Sequence, residues 1–136
     1  MQVDRRTVLK AGSALLVVPL AGFAASAHGF VFDQRFSEGR AQARLAELQG
    51  MWVQGFEADV THVWLNHLRP HWAADRGAVA GLTSASALFC LEQMARDERY
   101  RVIQREPLEA GPDAPVRWLI GRRSAVRVSP PKGITV

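Results

Sequence analysis

Three short, mostly apolar runs, each followed by residues at helical spacing, constrain this chain more than any other feature. Gly29-Phe30-Val31-Phe32, Met51-Trp52-Val53-Gln54-Gly55-Phe56 and Ala78-Val79-Ala80-Gly81-Leu82 are short and near-continuous rather than alternating. Such runs mark strands buried on both faces, as in a parallel sheet covered by helices. After the first run, Ser37 can cap a helix with Ala41, Leu45 and Leu48 facing inward, and Gly50 is placed to end it. After the second, Asp59 or Thr61 can cap a helix whose inner stripe is Val60, Trp64 and Leu68, with Pro70 ending or kinking it. After the third, Thr83, Ser84 and Ser86 are candidate caps for a helix to about Glu98, with Ala87, Leu88, Leu91, Met94 and Ala95 inward.

Two further strands, Arg101 to Gln104 and Val116 to Ile120, flank the turn-rich Gly111-Pro112-Asp113-Ala114-Pro115. Ala125 to Val128 alternates as a short edge strand does, and a mobile tail is expected over 130–136. The pattern predicts an α/β fold: a small three-layer sandwich with a mostly parallel sheet, βαβαβα followed by a β-hairpin. The first four strands should run parallel, with the last one or two antiparallel at an edge; α+β is the alternative. Residues 28–129 should form a single domain, since that length supports one core and not two.

The first 27 residues have a different character. Asp4-Arg5-Arg6-Thr7-Val8-Leu9-Lys10 precedes a mildly apolar stretch that contains Gly12, Pro19 and Gly22 and closes on Ala25-Ser26-Ala27. A charged start, a short apolar middle and an A-x-A end are the parts of a cleavable export signal. With Arg5, Arg6, Leu9 and Lys10 in place, this segment resembles the bacterial twin-arginine (Tat) signal, although Asp4 stands where Ser or Thr is usual and Val8 where Phe is commonest. The resemblance implies passage through the Tat translocase, export of an already folded chain, cleavage after Ala27, and a periplasmic or secreted product. An uncleaved anchor is the competing reading. The apolar stretch is shorter than the roughly 20 residues that span a bilayer and is broken by Pro and Gly, so no stable membrane insertion is expected after cleavage.

Charge excludes one class of partner. The 17 Lys and Arg against 13 Asp and Glu fall to 14 and 12 once Arg5, Arg6, Lys10 and Asp4 are set aside. A near-balanced charge spread along the chain is no nucleic-acid footprint. The single cysteine, Cys90, permits no intrachain disulfide and, within Ala87-Leu88-Phe89-Cys90-Leu91, reads as a small buried residue. Of the tryptophans, Trp64 and Trp118 fit core faces, and Trp72 is a candidate exposed anchor for a partner, with core packing the commoner fate of such a residue.

In an open parallel sheet, ligands bind outside the carboxyl ends of the strands. That rule selects Asp33 and Arg35 after the first strand, Asp59 and Thr61 after the second, and Thr83, Ser84 and Ser86 after the third. Two carboxylates, an arginine and a helix start suit a small anionic ligand, and the competing role for the hydroxyls and Asp59 is simple helix capping. His67 and His71, with His62 nearby, have a metal-like spacing. Pro70 is expected to break the face they share, and no metal or cofactor is expected. No P-loop, dinucleotide fingerprint or Gly-x-Ser-x-Gly elbow occurs. The sequence therefore points to an exported non-catalytic protein, a small-ligand binder or an accessory subunit of a larger periplasmic protein. A small enzyme acting on an anionic metabolite, with Asp33 or Asp59 as acid or base, is the alternative.

Overall fold

The structure, a computed structural model, describes residues 27–122. The signal residues Arg5, Arg6, Leu9, Lys10 and Ala25, the edge strand expected over 125–128 and the tail over 130–136 lie outside them. Five strands form one sheet: β1 (Ala27–Asp33), β2 (Trp52–Phe56), β3 (Ala78–Ser84), β4 (Arg101–Pro107) and β5 (Pro115–Gly121). The helices are α1 (Ser37–Leu48), α2, which runs as an opening turn Thr61–Val63, a π-helical stretch Trp64–Leu68 and an α-helical Arg69–Ala73, and α3 (Ala85–Ala95) with a 3₁₀ turn Arg96–Glu98. Ala27, beside the expected cleavage point, is the first residue of β1 and pairs with Ala78.

The sheet is mixed, with the order β2-β1-β3-β5-β4. β1 pairs parallel with β2 and β3, whereas β5 is antiparallel to both β3 and β4. β1 to β4 thus run in one direction and β5 against them, as expected; the correction concerns position, for β5 is not at an edge but is inserted between β3 and β4. Burial explains the order. All seven residues of β5 are buried, while β4 exposes Arg101, Gln104, Arg105 and Pro107, the charged and proline-bearing composition that protects an edge from further pairing.

Helices cover both faces. On one, α2 and α3 bury Val63, Trp64, Leu68, Trp72, Leu88 and Leu91 against Val31, Val79, Trp118 and Ile120. On the other, α1 packs Ala43 and Ala46 against Phe30, Ala80, Leu82 and Leu119. α1 is rotated from its expected setting: Gly39, Gln42, Ala43 and Ala46 face the sheet, Ala41 is exposed, and Leu48 is 83% exposed. Gly39, Ala43 and Ala46 let α1 approach the sheet closely, with Gln42 buried among them and Leu45 packed at the margin, so the buried face is not the one the Leu spacing marks. Trp72 is 1% exposed and hydrogen-bonded through Nε1 to the Gly77 carbonyl at 3.1 Å, which corrects its reading as a surface anchor. Cys90 is exposed on α3 beside Phe89, not buried.

Pro70 neither ends α2 nor breaks its face. The Arg69 N–H reaches back five residues to the Trp64 carbonyl, and Pro70, which has no N–H, is the second residue of the final α-helical segment Arg69–Ala73, in the first turn where proline is tolerated.

Candidate functional site

At the carboxyl edge the selected residues are all present, and most of them are already engaged. Asp33 ends β1 with no exposed surface, and Arg35 folds back over it. The Arg35 backbone N–H and Nε each donate to Asp33 Oδ1 at 3.0 Å, and Nη2 donates to Oδ2 at 2.7 Å. Burial alone would raise the Asp33 carboxyl. The hydrogen bonds and charge of Arg35, with a further bond from the Ala58 backbone, outweigh it and hold the group below its usual 3.8. Bonding to Asp33 correspondingly raises Arg35.

The hydroxyls are spent on structure. The Thr83 hydroxyl, fully buried, accepts from Trp118 Nε1 at 3.1 Å and donates to the Ser84 carbonyl at 2.9 Å. Ser84 caps α3, its Oγ accepting from the Ala87 N–H at 3.1 Å. The Ser86 N–H and Oγ both donate to the Pro112 carbonyl, each at 3.1 Å. The start of α3, expected to offer free N–H groups to a ligand, is therefore occupied in part by the chain's own Pro112 and Ser84. Asp59 is exposed, and its Oδ1 accepts from the Thr61 N–H at 2.9 Å, which lowers its pKa. The structure joins Asp33 to Arg35, and Thr83 to Ser84, but turns Asp59 toward Thr61. None of the seven residues lines any of three cavities, of about 430, 230 and 320 Å³, found among the described residues.

The opposite, amino edge gathers three of the four histidines, His28, His67 and His71, with His62 in ring contact with His67 from the opening turn of α2. His28 is the second residue of β1, Trp52 begins β2, and α2 descends to the same edge carrying His67 and His71. The π-helical turn matters here, because residues five apart share a face in π geometry: the His62 and His67 ring centroids are 6.0 Å apart. His67 stacks on Trp52 at 6.3 Å, His71 meets the same indole edge-on at 5.4 Å, and His28 lies 6.4 Å from His71. The turn after α2 fixes the group. Gly77, at φ +104°, presents its carbonyl to both His71 Nε2 and Trp72 Nε1 at 3.1 Å, and its own N–H faces the Tyr100 hydroxyl at 3.4 Å. Tyr100 in turn donates to Asp75 at 2.6 Å, stacks on Trp72 at 5.2 Å and lies beneath the Arg122 guanidinium.

These contacts define a cavity of about 320 Å³ lined by Trp52, Asn66, His67, Pro70, His71 and Arg76. Burial, then repulsion from His62, lowers His67; burial, partly offset by the Gly77 bond, lowers His71, with His28 and Arg76 adding to the effect. Both rings are therefore neutral at pH 7. Among the described residues no group of three His, Cys, Asp or Glu side chains is placed to hold a metal. The spacing of His67 and His71 was visible in the sequence. The participation of His28, Trp52 and Arg76 was not, since it depends on strand order and on the π turn. Comparison with family models, with curated proteins and with solved structures returns no match for this chain.

Proposed function

We propose that the chain is an exported, non-catalytic protein of the periplasm or extracellular space, carried by the Tat route, which acts by binding a small ligand or as an accessory subunit of a larger protein. The observation that carries the non-catalytic reading is the commitment of the carboxyl-edge polar groups to hydrogen bonds inside the domain. A general acid or base works best with a pKa near the working pH and within reach of a substrate. Asp33 is instead held ionised, buried and clamped by Arg35. The alternative, an enzyme using Asp33 or Asp59 on an anionic metabolite, has correspondingly less support.

The accessory role draws on a different feature. Leu65 on α2 and Phe89 on α3 are 51% and 61% exposed, and both helices cover the same face of the sheet. Among the described residues no helix is long and apolar enough to cross a membrane.

Expression with the native leader in a Tat-competent host, followed by fractionation and native mass spectrometry, tests this reading. The expected product is a periplasmic chain cut after Ala27, carrying a small molecule or a protein partner. Export that survives Arg5→Lys with Arg6→Lys, or retention of the full-length chain in the membrane fraction, would contradict it.

A further inference from the structure

The amino-edge cavity is chemically one-sided. Its lining supplies the imidazoles of His67 and His71, the Arg76 guanidinium and the Asn66 amide, with Trp52 as a wall, and it contains no carboxylate. The other charged or titratable groups acting on the two rings are His28 from β1 and His62 from α2, which are also basic. Asp75, next to Arg76 in the chain, is turned away to Tyr100 at 2.6 Å and Arg122 at 3.1 Å. Arg76 is exposed and has no ion-pair partner among the described residues.

We infer that this cavity is the binding site for a small oxyanion, a phosphate or a carboxylate, at the amino edge of the sheet. Arg76 supplies a permanent charge with the forked geometry that matches either anion. His71 is 9% exposed, its Nε2 lies against the Gly77 carbonyl, and its Nδ1 is the nitrogen left to take up a proton. His67 is held in place by its stacking on Trp52. A bound anion favours the charged imidazoles, so binding takes up protons and tightens as pH falls through the histidine range.

A metal ion is the other common guest of clustered imidazoles. The bond between His71 Nε2 and Gly77, together with the lack of a third ligand among the described residues, argues against it.

The inference rests on the small-ligand half of the proposed function and moves the site from the carboxyl to the amino edge. Calorimetric titration of the purified exported protein with inorganic phosphate and, separately, with citrate tests it at pH 5.5 and pH 8, in about 0.15 M NaCl to screen loose surface attraction. The expected result is one-site binding of at least one probe, about fivefold or more tighter at pH 5.5, weakened about tenfold by Arg76→Ala and by His67→Gln, and unchanged by Arg35→Ala. Phosphate alone would assign a phosphate ligand, and citrate alone a carboxylate ligand. No binding of either probe at pH 5.5, or binding that Arg76→Ala and His67→Gln leave intact, would overturn the inference. A failed titration of a protein that still co-purifies with a partner removes the anion site and leaves the accessory role. A successful titration of a chain that is never exported removes the compartment and leaves the site.

Discussion

Gly81 on β3 lies directly opposite Trp118 on β5, and the indole occupies the space where a side chain at position 81 would stand. A Cβ there would meet the ring at 2.2 Å. The same relationship recurs between Gly29 and Trp52 on β1 and β2, at 2.1 Å. Each tryptophan thus lies across a neighbouring strand, and at Trp118 the arrangement also brings Nε1 to the Thr83 hydroxyl. Gly81→Ala should therefore cost about 1–3 kcal/mol by overpacking. Urea unfolding of Gly81→Ala against the parent checks this, and an unchanged midpoint would mean that the indole is free to move aside.

Stability should have a flat top in pH. His67 and His71 have folded pKa values below the 6.5 of the unfolded chain, so the unfolded state binds more protons and stability is lost as pH falls below about 6.5. Asp33, lowered from 3.8, adds a second loss as its carboxylate is protonated. Tyr100 is raised above 10.0, chiefly by burial and then by its bond to Asp75, so its contribution is lost as pH rises beyond 10. Thermal midpoints measured from pH 3 to 11 should show this plateau, and His67→Gln together with His71→Gln should flatten the step near 6.5.

Gln42 is fully buried on α1, and neither atom of its amide has a hydrogen-bond partner among the described residues. A buried amide without partners costs about 1–3 kcal/mol, which an apolar side chain of similar length avoids. Gln42→Met should raise stability by about 1 kcal/mol in chemical denaturation. A loss of stability would mean that the amide is satisfied in solution.

Cys90 should react in the native protein. It is exposed on the outer face of α3, so a thiol reagent should modify one site per chain without denaturant. Modification only after unfolding would place α3 in a different rotation.

Of the five strands, β1, β3 and β5 were legible because near-continuous apolar character follows from burial on both faces, whereas the edges β2 and β4 were legible only as shorter apolar runs. The position of β5 was legible in principle. Val116-Arg117-Trp118-Leu119-Ile120 is the more apolar of the last two strands and belongs inside, while Arg101, Arg105 and Glu106 mark β4 as the edge. The rotation of α1 was obscured because Leu45 and Leu48 outweigh Ala43 and Ala46 in any apolar stripe, although Ala43, Ala46 and the polar Gln42 are the buried residues, with Leu45 at the margin and Leu48 outside. For the site, Asp33 and Arg35 stand at the expected edge as a closed pair. The histidine cluster was discounted at Pro70, because a π turn that carries a helix through a proline has no signature at the level of residue spacing.

On the proposal made above, this domain keeps its ligand-facing chemistry at the amino edge and closes its carboxyl edge with its own hydrogen bonds. The most direct test is a map of amide and imidazole chemical shifts of the exported protein on addition of phosphate or citrate at pH 5.5. Saturable shifts confined to Trp52, His62 to His71 and Arg76 are predicted. Shifts centred on Asp33, Arg35 and the Ser84–Ser86 start of α3 would instead place the ligand at the carboxyl edge.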